Sequence, residues 1–161
     1  MSRSGCLRAA MAGPTLVAAL ALGGCQPVTS EAQTQVVQGV EFAYGVVKSD
    51  AVLAHPADHS ERIMHDGVPS GPDTYHVVLA LRDAKAGRRL KDADVTLTLA
   101  GPGHPGRVVI ALRPMDSTDT FTYGGYVAMP SAAKYRLTFA VAHSGVQRGV
   151  VHARFLFQRP S

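Results

Sequence analysis

Residues 93–100 read Ala-Asp-Val-Thr-Leu-Thr-Leu-Ala. Val95, Leu97 and Leu99 alternate with Thr96 and Thr98. A period of two puts one set on a buried face and the other toward solvent, which is the geometry of a half-buried strand. Residues 135–141 repeat the pattern: Tyr135, Leu137, Phe139 and Val141 alternate with Arg136, Thr138 and a small Ala140. Near the C-terminus Val151, Ala153, Phe155 and Phe157 form an inward set, with His152, Arg154 and Gln158 outward. Working outward from these stretches, strands are expected at 40–47, 74–82, 93–100, 107–113, 121–128, 135–142 and 149–158. They are rich in Val, Thr, Tyr and Phe, and turn residues separate them. The run 83–87 can turn a hairpin, the Gly/Pro run 101–106 has no helix potential, and Ser144-Gly145 signals a tight hairpin. No long amphipathic helix is present. About seven short strands predict an all-β fold, an antiparallel β-sandwich.

The N-terminus reads as targeting rather than structure. Residues 1–24 carry Arg3 and Arg8, no acidic residue and an apolar run from Thr15 to Leu22. That run is shorter than the roughly 20 residues of a membrane-spanning helix, and it reads as a secretory signal. Leu22-Gly23-Gly24-Cys25 resembles the lipobox of bacterial lipoproteins. The resemblance implies cleavage before Cys25 and lipidation of its thiol. It implies a chain anchored on the periplasmic side of a bacterial membrane. Gln26 stands where Asp would resemble an inner-membrane retention signal, so the outer membrane is the expected destination. Residues 25–39 are expected to be a polar tether, and 40–161 a single sandwich domain.

The cysteine count agrees. The chain has two; Cys6 leaves with the signal and Cys25 takes the lipid. No thiol then remains for a disulfide or a thiolate metal site, and stability must come from a packed core. Arg3 and Arg8 also account for two of the 16 basic residues, which leaves 14 against 12 acidic ones and lowers the formal charge from +4 to +2. No basic cluster points to nucleic acid.

The segment 55–67, His-Pro-Ala-Asp-His-Ser-Glu-Arg-Ile-Met-His-Asp-Gly, holds three of the seven histidines. His55 precedes Pro56, which biases it toward extended backbone, and Pro56 can open a short helical turn through Arg62. The loop 55–73 can fold back over the sheet and gather His55, His59, Met64 and His65 with His76. Met115 and Met129 are further thioether candidates. Imidazole suits copper or zinc, and thioether favours Cu(I); without cysteine a zinc finger is excluded. The competing reading is a solvated loop, with His76 facing water on an edge strand and both methionines filling core gaps. Gly124-Gly125 within the strand 121–128 reads as a bulge or a close contact between strands.

The run from Tyr75 to Gly103, the run from Tyr123 to Val141 and the run from Val151 to Phe157 together resemble the YtkA-like and FixH-like periplasmic domains. The matching positions are Asp83, Gly87, Asp92, Ala93, Val95, Tyr123, Met129, Pro130, Tyr135 and Val141. The resemblance implies an immunoglobulin-like sandwich and neighbours in copper handling or oxidase assembly. It does not carry a site with it. No G-x-S-x-G elbow, H-E-x-x-H run or Gly-rich phosphate loop occurs, so no enzyme activity is expected. The leading expectation is a lipid-anchored accessory protein that handles copper or another transition metal. The alternative is a module that presents an edge or loop to an envelope partner without metal.

Overall fold

Alternation along each strand sorts the side chains to two faces, and one face of every strand meets a common core. A computed structural model of the chain describes residues 33–117, 120–143 and 149–161. The leader, Cys25 and the Ser144-Gly145 turn lie outside the described residues. Eight strands follow one another: β1 (Thr34–Val37), β2 (Val40–Lys48), β3 (Thr74–Asp83), β4 (Asp94–Ala100), β5 (Val108–Asp116), β6 (Phe121–Ala128), β7 (Lys134–Ala142) and β8 (Val150–Gln158). All pairings are antiparallel. The order across the sheet is β1-β2-β3-β6-β5-β4-β7-β8.

The strand β5 joins the two halves. Its first residues, Val108–Leu112, pair with β4, and its last, Arg113–Asp116, pair with β6. The sheet therefore curls over itself and nearly closes. At the meeting edges Gln35 Nε2 donates to the Arg154 carbonyl at 2.8 Å, and the Tyr44 hydroxyl donates to the Leu156 carbonyl at 3.2 Å. The antiparallel all-β expectation is borne out, with eight strands in place of about seven. The additional strand, β1, lies inside the 25–39 segment read as tether. Gln38 and Gly39 both take positive φ and turn β1 back onto β2. The short stretch carries little apolar period, and pairing with β2, with Val37 packed against the core, makes it a strand.

The interior is filled from both halves by Phe42, Leu79, Leu97, Leu99, Tyr123, Leu137 and Phe139, each at most 1 % exposed. Tyr44, Phe139 and Phe155 pack ring on ring, with centroids 4.7 Å apart for Tyr44 and Phe155. A side chain of this kind contributes ~1.5–3 kcal/mol on burial. Two buried tyrosines lace the loops to the core. Tyr123 donates to the Leu90 carbonyl and accepts from the Ala93 amide, both at 3.0 Å. The Tyr135 hydroxyl accepts from the Ser131 amide and donates to the Pro102 carbonyl, again both at 3.0 Å. The 83–87 turn forms, but it closes on a single bridge between Arg82 and Arg89 and does not pair β3 with β4, since β3 lies between β2 and β6. Asp83 Oδ1 accepts from the Lys85 and Ala86 amides, and Gly87, at φ +67°, closes the turn onto the Asp83 carbonyl.

Between β2 and β3 the chain leaves the sheet. It forms two short helices, α1 (Ser49–Leu53) and α2 (Ser60–Ile63), and a 3₁₀ turn at Met64–Asp66. This excursion folds back over the outer face of β3, β6 and β5, burying Ser49 and Val52.

Candidate metal centre

The side chain of His76 should face water by parity, since Tyr75, Val77 and Leu79 on β3 face the core. It is nevertheless only 2 % exposed. Two features bury it. The strand is interior, paired with β2 on one side and β6 on the other. The 49–66 excursion then roofs the outer face. The expectation of an edge-strand His76 facing solvent is thereby corrected.

The roof is pinned at its end. His65 and Asp66 both adopt left-handed backbone, at φ 60° and 66°. This conformation is uncommon outside glycine, though Asn, Asp and His tolerate it best. It turns the His65 ring down toward the sheet, 5.6 Å from the His76 ring between centroids. Asp66 Oδ2 meets Arg113 Nη1 of β5 at 2.9 Å. Both partners are exposed, so this ion pair contributes orientation more than stability.

Beneath the roof His76 and Met115 converge, and the His65 ring stands edge-on to His76. A Cβ built on Gly124 of β6 would stand 2.7 Å from His76 Nε2 and 2.8 Å from Met115 Sδ. Only glycine leaves that space open; the close strand contact read from Gly124-Gly125 is real on both faces, since a Cβ on Gly125 would meet Ile110 and Leu112 at 3.0 Å. The Nε2 atoms of His65 and His76 are both buried, and neither has a hydrogen-bond partner among the described residues. A buried polar atom without a partner costs ~1–3 kcal/mol, so two of them on neighbouring rings, that of His76 beside a thioether, require an explanation. Tyr126 closes one side, stacked on His76 at 4.6 Å and 22°.

The electrostatics favour neutral imidazoles. Burial pushes His76 down to about 4, and the neighbouring His65 adds to the effect. His65 is lowered too, by burial first and then by Arg113, against a smaller opposing pull from Asp66. Neutral imidazole is the form that ligates a metal.

The other expected ligands fall elsewhere. His55 and His59 stack on each other with ring centroids 4.3 Å apart. Their turn is held by the His59 amide on the Pro56 carbonyl and by Arg62 Nη1 on the His55 carbonyl. Ring contacts pair His55 with His59 and His65 with His76. Met64 opens the 3₁₀ turn, half-buried. Met129 is corrected outright: it shares the inward parity of Tyr123 and Val127, is fully buried in the core, and its amide donates to the Asp73 carbonyl. Met115, by contrast, lies on the outer side of β5 beside His76. Tyr126, Arg113 and Asp66 were not among the residues singled out from the sequence; only the double glycine signalled that something approaches β6 here. No group of three or more His, Cys, Asp or Glu side chains is gathered for a metal among the described residues. The cluster consists of two imidazoles and one thioether.

Fold and cluster together define a small antiparallel β-protein with a buried His/Met pocket roofed by a loop. No family model matches the chain, and no curated relative does. Solved structures do share its fold. FetP of uropathogenic Escherichia coli strain F11 superposes with a TM-score of 0.61 at 13% identity, covering 81% of this chain and 94% of that one. The copper-reconstituted P19 protein of Campylobacter jejuni gives 0.56 at 16% identity, covering 80% and 93%. A DUF4426 family protein of Pseudomonas aeruginosa PAO1 gives 0.58 at 16% identity, covering 80% and 95%. At these identities the likeness is one of fold.

Proposed function

We propose that this protein is a non-catalytic, lipid-anchored periplasmic protein that binds one copper ion at His65, His76 and Met115. The observation that carries the reading is the pair of buried, unpartnered Nε2 atoms on neighbouring rings, that of His76 facing the Met115 thioether across Gly124. Two neutral imidazoles and a thioether suit copper, with the sulfur favouring Cu(I). A hard cation such as Ca²⁺ would want oxygen ligands, and the convergent atoms are nitrogen and sulfur. Two of the proteins that share the fold, FetP and P19, have copper-bound structures, which supports the choice of metal. The lipobox-like 22–25 segment supports anchoring through Cys25, and the fold shared with FetP, whose structure is of protein expressed in the periplasm, supports a periplasmic setting.

The test is a titration of the purified protein with Cu(I) and Cu(II) against competing chelators, beside the His65→Ala and His76→Ala variants. One ion bound per chain more tightly than micromolar, and lost in both variants, is expected. Binding that survives both variants, or that His55→Ala and His59→Ala abolish instead, overturns the assignment. Anchoring is tested separately: Cys25→Ser is expected to prevent acylation, seen as the loss of the acyl mass on the protein.

A further inference from the structure

On the far side of the molecule from the copper pocket, the outer face of β4, β7 and β8 forms a groove of about 330 Å³. Its walls are Arg107, Arg136, Arg154 and His152, over a floor that includes Thr98 and Thr138. The register explains the grouping. Thr98 pairs with Thr138 and Thr138 with Arg154; one row away Ala140 pairs with His152, and on the other side Ala100 pairs with Arg136. The same period of two that buries Leu97, Leu137 and Phe155 places all of these outward. Small residues in the middle rows let the long guanidinium side chains stand around a depression.

No carboxylate lines the groove. None of the three guanidiniums has an ion-pair partner among the described residues, where the pairs join Lys48–Asp50, Lys91–Asp116, Arg113–Asp66 and Arg159–Asp73. The nearest acid on this face, Asp94, pairs with Ala142 two rows beyond Thr98 toward the end of the sheet. Three clustered guanidiniums with no carboxylate of their own are complementary to an anion, and the planar fork matches phosphate oxygens. Two exposed apolar side chains flank the groove: Leu156, 43% exposed, pairs with Arg136, and Val109, 61% exposed, pairs with Thr98. A free phosphate has no use for them; the glycerol and upper acyl region of a lipid does.

From this we infer that the β4-β7-β8 face seats the phosphate headgroup of an anionic phospholipid, with Arg107, Arg136 and Arg154 holding the phosphate and Leu156 and Val109 entering the interfacial layer. The position of the chain end fits, on the anchoring reading above. Eight residues, 26–33, follow Cys25, and they reach at most roughly 3.3–3.6 Å each. They enter the domain at β1, whose Gln35 side chain is bonded to the backbone of Arg154 itself. A lipid on Cys25 thus tethers the edge that carries the guanidiniums.

The full lipidated chain is reconstituted into nanodiscs of phosphatidylcholine with and without phosphatidylglycerol. Arginine accessibility is read residue by residue as the rate of phenylglyoxal modification by mass spectrometry. Phosphatidylglycerol is expected to slow modification of Arg107, Arg136 and Arg154 by about fivefold or more while leaving Arg62 unchanged. The double variant R136A/R154A, whose changes lie on exposed positions, is expected to abolish that protection at Arg107. Equal rates in the two discs, equal protection of Arg62, or protection of Arg107 that survives the double variant overturns the inference. Protection by millimolar inorganic phosphate in phosphatidylcholine discs equal to that by phosphatidylglycerol overturns the headgroup as occupant and assigns a soluble anion. Copper binding is read at the other sheet and is expected to be unchanged in R136A/R154A. A chain that is not acylated fails to enter the discs at all, so the two readings fail separately.

Discussion

His76 Nε2 and Met115 Sδ approach one point in space, 2.7 and 2.8 Å from where a Cβ on Gly124 would stand. They come from strands on either side of β6, and glycine at 124 is what lets them meet. Gly124→Ala is therefore expected to push the two donors apart. Overpacking of this kind costs ~1–3 kcal/mol, because both side chains are held beneath the roof rather than free to swing into water. Copper affinity should fall by about tenfold or more while the far-ultraviolet signature of the sheet is kept. Chemical denaturation and chelator competition on the same sample check both halves. Wild-type affinity at wild-type stability would remove Gly124 from the argument.

The same burial makes the metal-free protein acid-sensitive in a defined window. The ordinary histidine value is 6.5, and His76 in the fold lies at about 4. Between these values the unfolded chain binds a proton that the folded chain does not. Stability is thus complete above about pH 6.5 and declines as pH falls toward 4, by a few kcal/mol at most. His65, lowered as well, acts in the same direction. The Asp83 carboxyl is held below its ordinary 3.8 by the Ala86 and Lys85 amides, so its loss belongs to more acid conditions. Urea midpoints across this range are expected to drop for the wild type and to drop clearly less for His76→Gln, where the contribution of His65 remains. Parallel curves for the two proteins would remove His76 as the source.

Arg113 carries a smaller electrostatic prediction. It lowers His65, while Asp66 raises it. Arg113→Ala removes the first influence and frees Asp66 from its ion pair, so both changes raise the His65 value. An NMR titration of the imidazole nitrogens is expected to show His65 moving upward in the variant. Stability should change by less than ~1 kcal/mol, since the pair is exposed. A downward shift would contradict the placement of the roof.

How much of this could be read from the chain follows from what period-two patterns encode. Val95–Leu99, Tyr135–Val141 and Val151–Phe157 declare their buried faces because burial selects apolar residues at every second position, and those strands appear where expected. Residues 34–37 carry no such pattern and become β1 through tertiary contacts, pairing with β2 and packing of Val37 on the core. His76 was legible as a candidate but not as buried, because its parity points outward and the roof over it is a tertiary fact. His55 and His59 look equivalent to His65 in sequence. They separate only because the left-handed backbone at His65 and Asp66 turns one ring inward, and outside glycine the preference of His and Asp for that backbone is too weak a sequence signal to single out one position. The two methionines were indistinguishable until strand parity sent Met129 inward and Met115 outward.

Tyr123 tests how the loop before β4 is held. Its hydroxyl bridges the Leu90 carbonyl and the Ala93 amide, at 1 % exposure of the residue. Tyr123→Phe deletes both bonds and leaves two backbone groups without this partner, at a cost of ~1–3 kcal/mol. The packing of the ring against Phe121, 5.3 Å between centroids, should survive. A thermal melt is expected to show a lowered midpoint with copper binding intact, because Tyr123 faces the core and not the pocket. A neutral outcome would mean that water replaces the hydroxyl, and the bridge would then carry no net stability.

Met115 and Met129 offer a paired test of the copper reading. Each is buried, each is a methionine, and they lie on opposite sides of the sheet. Met→Leu conserves volume and costs less than ~1.5 kcal/mol at either site. Only Met115→Leu removes a sulfur from the neighbourhood of His76. Because thioether favours Cu(I) over Cu(II), the variant is expected to lose about tenfold or more in Cu(I) affinity, with a smaller loss for Cu(II). Met129→Leu should bind both ions as the wild type does. Competition against a Cu(I)-specific chelator separates the cases. If both variants hold Cu(I) equally well, the sulfur is packing and the site reduces to two imidazoles; if both lose it equally, the effect is on folding and the pocket is not where the ion sits.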